Sequence, residues 1–277
     1  PWRTGACPSV RARTTHKPYP SATAPRSRPA IMRAKLLALA LLCAAASAQE
    51  QRPNFVLILA DDLGIGDVSP TSAGCKIKTP NLATMAASGM TFMDAHSTSA
   101  VCTPTRYGLL TGRYNWRSRL AKGVLNGNSG HLIPADRATI GHLMGEQGYA
   151  TAAIGKWHLG DQVEHLPVAH GFDKYFGIPY SNDMQQAGRG DPPLPLVEQV
   201  TVIEAPAEQS RLTQKYTREA IEFIEDHQRE PFFLYLPHTF PHLPLHASER
   251  FLGKSKNGRY GDSVEEIDWS TGEILDC

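Results

Sequence analysis

NFVLILADD, at residues 54–62, is the stretch from which the fold class can be predicted. Its apolar residues run from Phe55 to Ala60 without alternation, and two carboxylates follow directly. A continuous apolar run of this length is typical of a strand buried on both faces, as in a parallel sheet covered by helices. The stretch therefore predicts a buried strand whose carboxyl end carries Asp61 and Asp62.

Helical and strand patterns alternate along the rest of the chain. Further strands are predicted at 91–95, 149–154 and 232–236, and helices at 79–90, 136–147, 211–227 and 262–276. The helix at 136–147 is expected to bury Ile140, Leu143 and Met144, and the Pro-rich stretch 188–208 is expected to be a surface loop. The alternation predicts an α/β fold with a mainly parallel central sheet flanked by helices.

The first 48 residues are predicted to lie outside this fold. Residues 1–31 carry six basic residues and no acidic one, a composition that cannot bury enough apolar surface to order itself. Residues 32–48 resemble a secretory signal peptide, with a charged start, an 11-residue apolar run and an Ala-Ser-Ala cleavage site. We expect translation to start at Met32, so that 1–31 is an untranslated or disordered extension; a genuine amino-terminal extension is the alternative.

Cleavage after Ala48 changes the charge balance. Eight of the 28 basic residues and none of the 27 acidic residues lie in 1–48, so the remaining 229 residues carry 20 basic and 27 acidic, a net charge of −7. This balance argues against nucleic-acid binding. The signal predicts the secretory pathway, hence a secreted, periplasmic or lysosomal protein that is not membrane-bound after cleavage. Only Cys75, Cys102 and Cys277 then remain, which is no disulfide framework.

CTPTR, at residues 102–106, predicts a helix that begins at or just after Cys102, because Pro is favoured in a first helical turn. The sequence LLTG at 109–112 predicts that this helix ends at Gly112. A helix amino terminus favours an anion, and Arg106 lies one turn further on the same face. The pattern indicates a reactive cysteine; a buried structural cysteine is the alternative.

Polar residues also follow the other predicted strands. Lys156 and His158 lie in GKWHLG at 155–160, where an extended chain points both to one side, as suits an oxyanion and a departing oxygen. His238 and His242 lie in PHTFPHLP at 237–244 and could bind a metal or contact a substrate. For the motif at 155–160 taken alone, the alternative is a Lys and a His that face solvent. For the motif at 237–244, the alternative is a structural histidine.

The pair Asp61 and Asp62 predicts a cation site, since adjacent carboxylates repel unless a hard cation such as Ca²⁺ or Mg²⁺ lies between them. A solvated turn is the alternative. Ligands of open α/β sheets bind beyond the carboxyl ends of the strands, so one sheet edge would bring all these motifs together. Their joint occurrence favours a single active site.

Together these motifs resemble the type I sulfatases of the alkaline phosphatase superfamily. Residues 102–113 are similar to the first sulfatase signature, and residues 148–160 are similar to the second. Residues 54–64 resemble the family's first strand with its metal-binding Asp-Asp pair, and TPNL at 79–82 also fits. The resemblance covers residues 54–276 and implies an alkaline phosphatase/sulfatase-like sheet fold.

The resemblance implies that a formylglycine-generating enzyme oxidises Cys102 to formylglycine. The hydrated aldehyde would attack the sulfur of a sulfate monoester, form a covalent sulfate ester and then expel sulfate, with water consumed overall. Asp61, Asp62 and the formylglycine at 102 would hold Ca²⁺, which acidifies the nucleophile. Arg106 would orient the formylglycine.

The remaining implied roles concern the substrate. Lys156 would bind the sulfate group, and His158 would help to break down the hydrate or the ester. His242, which matches the family's His-x-Pro better than His238, would donate to the leaving oxygen.

One departure from the family pattern limits these expectations. The family's later Asp-Asn metal ligands and second lysine have no match in 243–277, where Asp262, Asp268 and Asp276 are predicted to be helix residues. We therefore expect residues 49–277 to be the N-terminal part of a sulfatase catalytic domain, incomplete at the C-terminus, with weak calcium binding. The alternatives are a phosphomonoester or phosphonate hydrolase of the same superfamily, and a non-catalytic truncated secreted product.

Overall fold

The computed structural model describes residues 52–127, 129–185 and 191–277. The predicted extension 1–31 and signal peptide 32–48 lie outside these residues. None of the described helices is both long enough and apolar enough to cross a membrane.

A sheet of six strands forms the centre of the described chain. In chain order the strands are β1 Phe55–Leu59, β2 Ala150–Ile154, β3 Lys174–Gly177, β4 Leu196–Glu198, β5 Thr201–Glu204 and β6 Phe232–Pro237. Their order across the sheet is β1-β6-β2-β3-β4-β5. The first four in this order are parallel, while β4 and β5 form an antiparallel hairpin next to β3. The predicted α/β class with a mainly parallel sheet is confirmed.

Five α-helices lie in the described residues: α1 Pro80–Ser88, α2 Cys102–Thr111, α3 Ile140–Glu146, α4 Leu212–Asp226 and α5 Gly258–Asp276. Strand β6 shows how they cover the sheet, because its side chains alternate between two cores. Leu234 and Leu236 pack with α4 and α5 residues on one face, while Phe233 and Tyr235 pack with α2 residues on the other. Burial on both faces accounts for the continuous apolar run of this strand.

Several sequence predictions about the elements are wrong. Residues 91–95 form no strand, and Met90 and Phe92 are exposed there. Leu143 is 53% exposed rather than buried, because α3 packs against the core through Ile140 and Met144 and leaves Leu143 on its solvent side. The Pro-rich stretch predicted as a loop contains β4 and β5, and strand β3 was missed because it has only four residues.

The amino end of α1 is capped from another helix. Thr79 immediately precedes α1, but its hydroxyl accepts a hydrogen bond from the backbone N–H of Ser69 at 2.9 Å and does not cap the helix. Instead, the Asp268 carboxylate in α5 accepts from the N–H groups of Asn81 at 3.2 Å and Leu82 at 2.8 Å. Asp268 is thus a structural residue that joins α5 to α1.

We expect Asp268→Ala to lower the free energy of unfolding by about 1–2 kcal/mol, because α1 loses a charged cap. Urea unfolding followed by circular dichroism measures the change. The control is Asp276→Ala, the same substitution at an exposed position of α5, which should cost less than about 0.5 kcal/mol. Equal losses in the two variants would contradict the capping role.

Candidate active site

The loops after β1, β2 and β6 are joined by backbone hydrogen bonds at one edge of the sheet. The N–H of Asp61 donates to the carbonyl of Phe240 at 3.1 Å, and that of His238 donates to Leu59 at 2.8 Å. The N–H of Lys156 donates to the carbonyl of Pro237 at 2.8 Å. The predicted meeting of these strand ends is confirmed, and hydrogen bonds join their backbones.

Two glycines allow this close approach of backbones. Gly155 has φ of 136°, and a Cβ there would lie 2.0 Å from the carbonyl oxygen of Pro237. A Cβ on Gly177 would lie 1.8 Å from the carbonyl oxygen of Gly155. Side chains at either position would push the strand ends apart. These glycines therefore fix the place where Lys156 leaves β2.

Helix α2 brings the cysteine motif to the same edge. Cys102 is its first residue, and Gly112, with φ of 63°, ends it, as predicted. Arg106 is 1% exposed, and its guanidinium donates to the backbone carbonyl of Lys156 and, at 3.0 Å, to Oδ2 of Asp61. Arg106 thus connects α2 to the ends of β1 and β2.

Asp61 is paired with two cations of the protein itself. Its Oδ2 lies 3.0 Å from Arg106 and 2.5 Å from Nζ of Lys156, which also donates to Oγ of Ser181 at 3.0 Å. Burial raises the pKa of Asp61, but the charges of Arg106 and Lys156 outweigh burial and lower that pKa to about 2. All three charged side chains are almost fully buried. The cluster contains one more positive than negative charge.

Asp62 lies in a different environment from Asp61. Its side chain is 55% exposed, its φ is 65°, and its Oδ2 lies 3.7 Å from Nε2 of His242. Arg106 and Lys156 neutralise Asp61 but not Asp62, and the cation expected between the two carboxylates stays a prediction. Within the described ranges, no group of three or more His, Cys, Asp and Glu side chains could hold a metal ion.

His158 is a neutral, fully buried histidine. Burial lowers its pKa well below the usual value, and the nearby charge of Lys156 lowers it further. Its Nε2 donates to the carbonyl of Leu125 at 2.8 Å, which leaves Nδ1 as an acceptor without a partner in the described structure. The expected extended chain ends before His158, whose φ is 60°. Lys156 and His158 are both buried, so the solvent-facing alternative is wrong.

The two histidines after β6 differ in burial. His238 is fully buried, with Nε2 3.5 Å from Oγ of Ser270, and burial lowers its pKa to about 4. His242 is partly exposed, its Nδ1 donates to the carbonyl of Leu243 at 2.5 Å, and its Nε2 faces Asp62. The structure therefore places His242 beside the carboxylate pair and His238 inside the packing between β6 and α5.

Cys102 lines a cavity of about 300 Å³ that Asp61, Asp62 and Arg106 also line, together with Ser97 and residues 99–101. Burial raises the pKa of this thiol, and the opposing charges of Lys156 and Arg106 do not reverse the shift. The thiol is therefore neutral near pH 7.

Sequence reasoning missed the residues that support this cavity. Ser181 holds the amine of Lys156, and Thr103 accepts a hydrogen bond from the N–H of Leu125 at 3.2 Å. Leu125 thus contacts both α2 and His158. Ser181 follows the missed strand β3, so recognising that strand would have directed attention to it.

A neutral cysteine, two buried cations and a neutral histidine lie together at the carboxyl edge of a mainly parallel sheet in an α/β fold. Residues 53–277 match the family model described as Sulfatase, and the chain belongs to that family. The family resemblance found in the sequence is therefore confirmed.

Three similar proteins illustrate the relationship. The chain is 38% identical over 265 residues to N-acetylgalactosamine-6-sulfatase of Mus musculus. This match covers 87% of the present chain and 49% of the relative. The chain is also 38% identical to arylsulfatase G of Rattus norvegicus, and this match covers 81% of the chain and 48% of the relative. A solved sulfatase structure from glycosaminoglycan metabolism in Bacteroides thetaiotaomicron has a TM-score of 0.74 at 31% identity, and the match covers 82% of this chain and 59% of that one. The chain spans about half the length of the curated relatives it matches.

Proposed function

We propose that this protein hydrolyses sulfate monoesters with a formylglycine made from Cys102. The observation that carries the proposal is the buried cluster of Asp61, Arg106 and Lys156 beside Cys102 in a member of the sulfatase family. Because this cluster holds two cations and one carboxylate, an entering oxyanion would restore local neutrality. A sulfate group supplies such an oxyanion.

Burial of the cysteine motif supports a maturation step that precedes folding. Thr103 is fully buried and Arg106 is 1% exposed, so an enzyme that reads CTPTR could not reach these side chains in the folded chain. The neutral thiol of Cys102 is also a poor nucleophile in its own right. Both observations favour a precursor that is oxidised to the aldehyde over a thiol that attacks substrate.

The residues of the site have separate roles in the proposed reaction. The hydrated aldehyde supplies one hydroxyl for attack on sulfur and a second whose deprotonation allows sulfate to leave. Lys156 and Arg106 bind sulfate oxygens and stabilise the charge that develops on them. His158 accepts a proton through its free Nδ1, and His242 donates one to the leaving alcohol oxygen.

The family resemblance implies a calcium ion held by Asp61 and Asp62. Asp61 and Asp62 offer hard carboxylate oxygens, but Asp61 is already neutralised by Arg106 and Lys156. The described residues bring no third carboxylate, histidine or cysteine into a group that could hold a metal. The described residues therefore do not fit a calcium ion on their own.

We expect calcium to stabilise this chain only slightly. With a dissociation constant of about 1 mM or weaker, as for the weakest calcium sites, 1 mM calcium would add no more than about 0.4 kcal/mol to the free energy of unfolding. Thermal unfolding in calcium and in EDTA measures the difference, with magnesium as the control cation. A calcium-specific gain of several kcal/mol would show that the two carboxylates suffice for a strong site.

Turnover of model substrates tests the proposed reaction. The chain is produced with a formylglycine-generating enzyme and offered aryl sulfate, aryl phosphate and aryl phosphonate esters. Preferential hydrolysis of the sulfate ester supports the proposal. Equal or faster turnover of phosphate or phosphonate would favour the superfamily alternative, and no turnover of any ester by chain that carries the aldehyde would favour the non-catalytic product.

We also propose that the protein enters the secretory pathway, since residues 32–48 have the composition of a signal peptide. Its maturation partner, the formylglycine-generating enzyme, would then act in the same pathway. Amino-terminal sequencing of secreted material tests this, and the expected first residue is Gln49.

A further inference from the structure

A basic and aromatic surface follows the carboxyl end of α2. Residues 49–277 are acidic as a whole, yet no Asp or Glu occurs between Asp94 and Asp136. Within that interval, residues 113–122, hereafter the basic aromatic surface, read RYNWRSRLAK and contain four cations. The cations are Arg113, Arg117, Arg119 and Lys122, and within the part of the chain that the structure describes none of them forms an ion pair.

Two aromatic rings lie among these charges. Tyr114 is 48% exposed and Trp116 is 57% exposed. Their rings stack with centroids 4.0 Å apart and planes 12° apart, so the pair offers a flat outer face. Exposed aromatic rings that are held in place give large contact area at low conformational cost, as interaction surfaces do.

The surface is held in one shape by hydrogen bonds. The buried amide of Asn115 donates to the carbonyls of Leu120 at 2.8 Å and Ala121 at 3.2 Å, which closes a loop within the surface. Arg119 donates to the carbonyl of His131 at 2.7 Å and to that of Gly130. A preorganised surface pays less entropy when it binds a partner.

The chain runs directly from this surface into the active site. Leu125, three residues after Lys122, contacts both Thr103 next to Cys102 and His158. Helix α2 has ten residues, so about 15 Å separate Cys102 from the surface at its other end. A single sulfate monoester cannot span that distance, whereas a polymer that carries several anionic groups can.

We propose that residues 113–122 bind a sulfated polysaccharide and hold it while one of its sulfate esters occupies the active site. The cations would meet sulfate groups along the polymer, and the stacked Tyr114 and Trp116 would contact sugar rings. The choice of a sulfated polymer, rather than another polyanion, rests on the proposed sulfate ester hydrolysis. The surface itself is an exosite outside the catalytic cavity.

Binding is measured without catalysis, on the full chain carrying Cys102→Ala. The probe is a size-fractionated heparin oligosaccharide, studied by isothermal titration calorimetry at low and high salt. We expect Arg117→Ala/Lys122→Ala to weaken heparin binding roughly tenfold, since the variant loses two exposed ion pairs with sulfate groups of the oligosaccharide. Trp116→Ala should weaken it about fivefold through lost ring contact, and salt should weaken binding to the unaltered surface.

The matched control is Lys254→Ala/Lys256→Ala, which removes two exposed cations elsewhere on the chain and should leave heparin affinity unchanged. Equal losses in the two double variants would overturn the proposal, as would tighter binding of double-stranded DNA or phosphatidylserine vesicles through the same residues. Because the assay needs neither aldehyde nor turnover, its failure is distinguishable from failure of the proposed hydrolysis.

Discussion

Replacement of Cys102 by alanine is expected to abolish sulfate ester hydrolysis by the matured chain. The rate should fall by on the order of 10⁴-fold or more, because the variant lacks the group that attacks sulfur. Arg106 and Lys156 would still bind the sulfate group, so the loss should appear in kcat much more than in KM. The measurement is steady-state hydrolysis of an aryl sulfate by chain produced with the formylglycine-generating enzyme.

Cys75→Ala is the matched control, because Cys75 is also a free cysteine and donates only to the carbonyl of Ile77 at 3.3 Å. This control should keep full activity. Mass spectrometry of the peptide that contains Cys102 adds a second measurement: an aldehyde is expected in chain matured by the enzyme, and an alkylatable thiol is expected without it. Full activity from chain that keeps the thiol would refute formylglycine chemistry.

The strands that could be predicted are those whose environment leaves a clear pattern. β6 is buried on both faces, so its sequence is a continuous apolar run. β1 has a similar apolar run, but the prediction that it is buried on both faces is wrong, because β1 lies at the edge of the sheet and Phe55 is 45% exposed. β4 and β5 have three and four residues and follow a Pro-rich stretch, and their pairing depends on β3, which no local pattern reveals. Local sequence patterns therefore cannot predict short strands whose formation depends on pairing with a neighbouring strand.

For the site, the rule that ligands bind at the carboxyl edge of a parallel sheet brought the correct loops together. It could not show that Asp61 is neutralised by Arg106 and Lys156, since that pairing depends on distances between elements far apart in the sequence. It also could not show that burial keeps the thiol of Cys102 neutral, because burial is a property of the packed molecule. The motifs predicted which residues lie together, whereas their charge states depend on the packing of the folded chain.

Replacement of Asp61 by asparagine is expected to lower the free energy of unfolding by about 3–5 kcal/mol, because it leaves two buried cations without a carboxylate. The neighbouring Asp62→Asn is the matched control and should cost less than about 0.5 kcal/mol, since the Asp62 side chain is 55% exposed. Urea unfolding of both variants in EDTA measures the difference without any contribution from divalent cations.

The pH dependence of stability gives an independent measurement of the same ion pairs. The pKa of Asp61 falls from 3.8 to about 2 on folding, so its stabilising contribution is present above pH 3.8 and is lost as the pH falls through about 2. This contribution is about 2 kcal/mol, and Asp61→Asn should remove it and flatten the acid limb of the stability curve.

If both carboxylates served only as calcium ligands, the two variants would be equally stable in EDTA and would lose calcium stabilisation alike. A large loss confined to Asp61→Asn would instead show that the protein's own cations hold this edge of the sheet together, and added inorganic sulfate should then restore part of the lost stability by binding between Arg106 and Lys156.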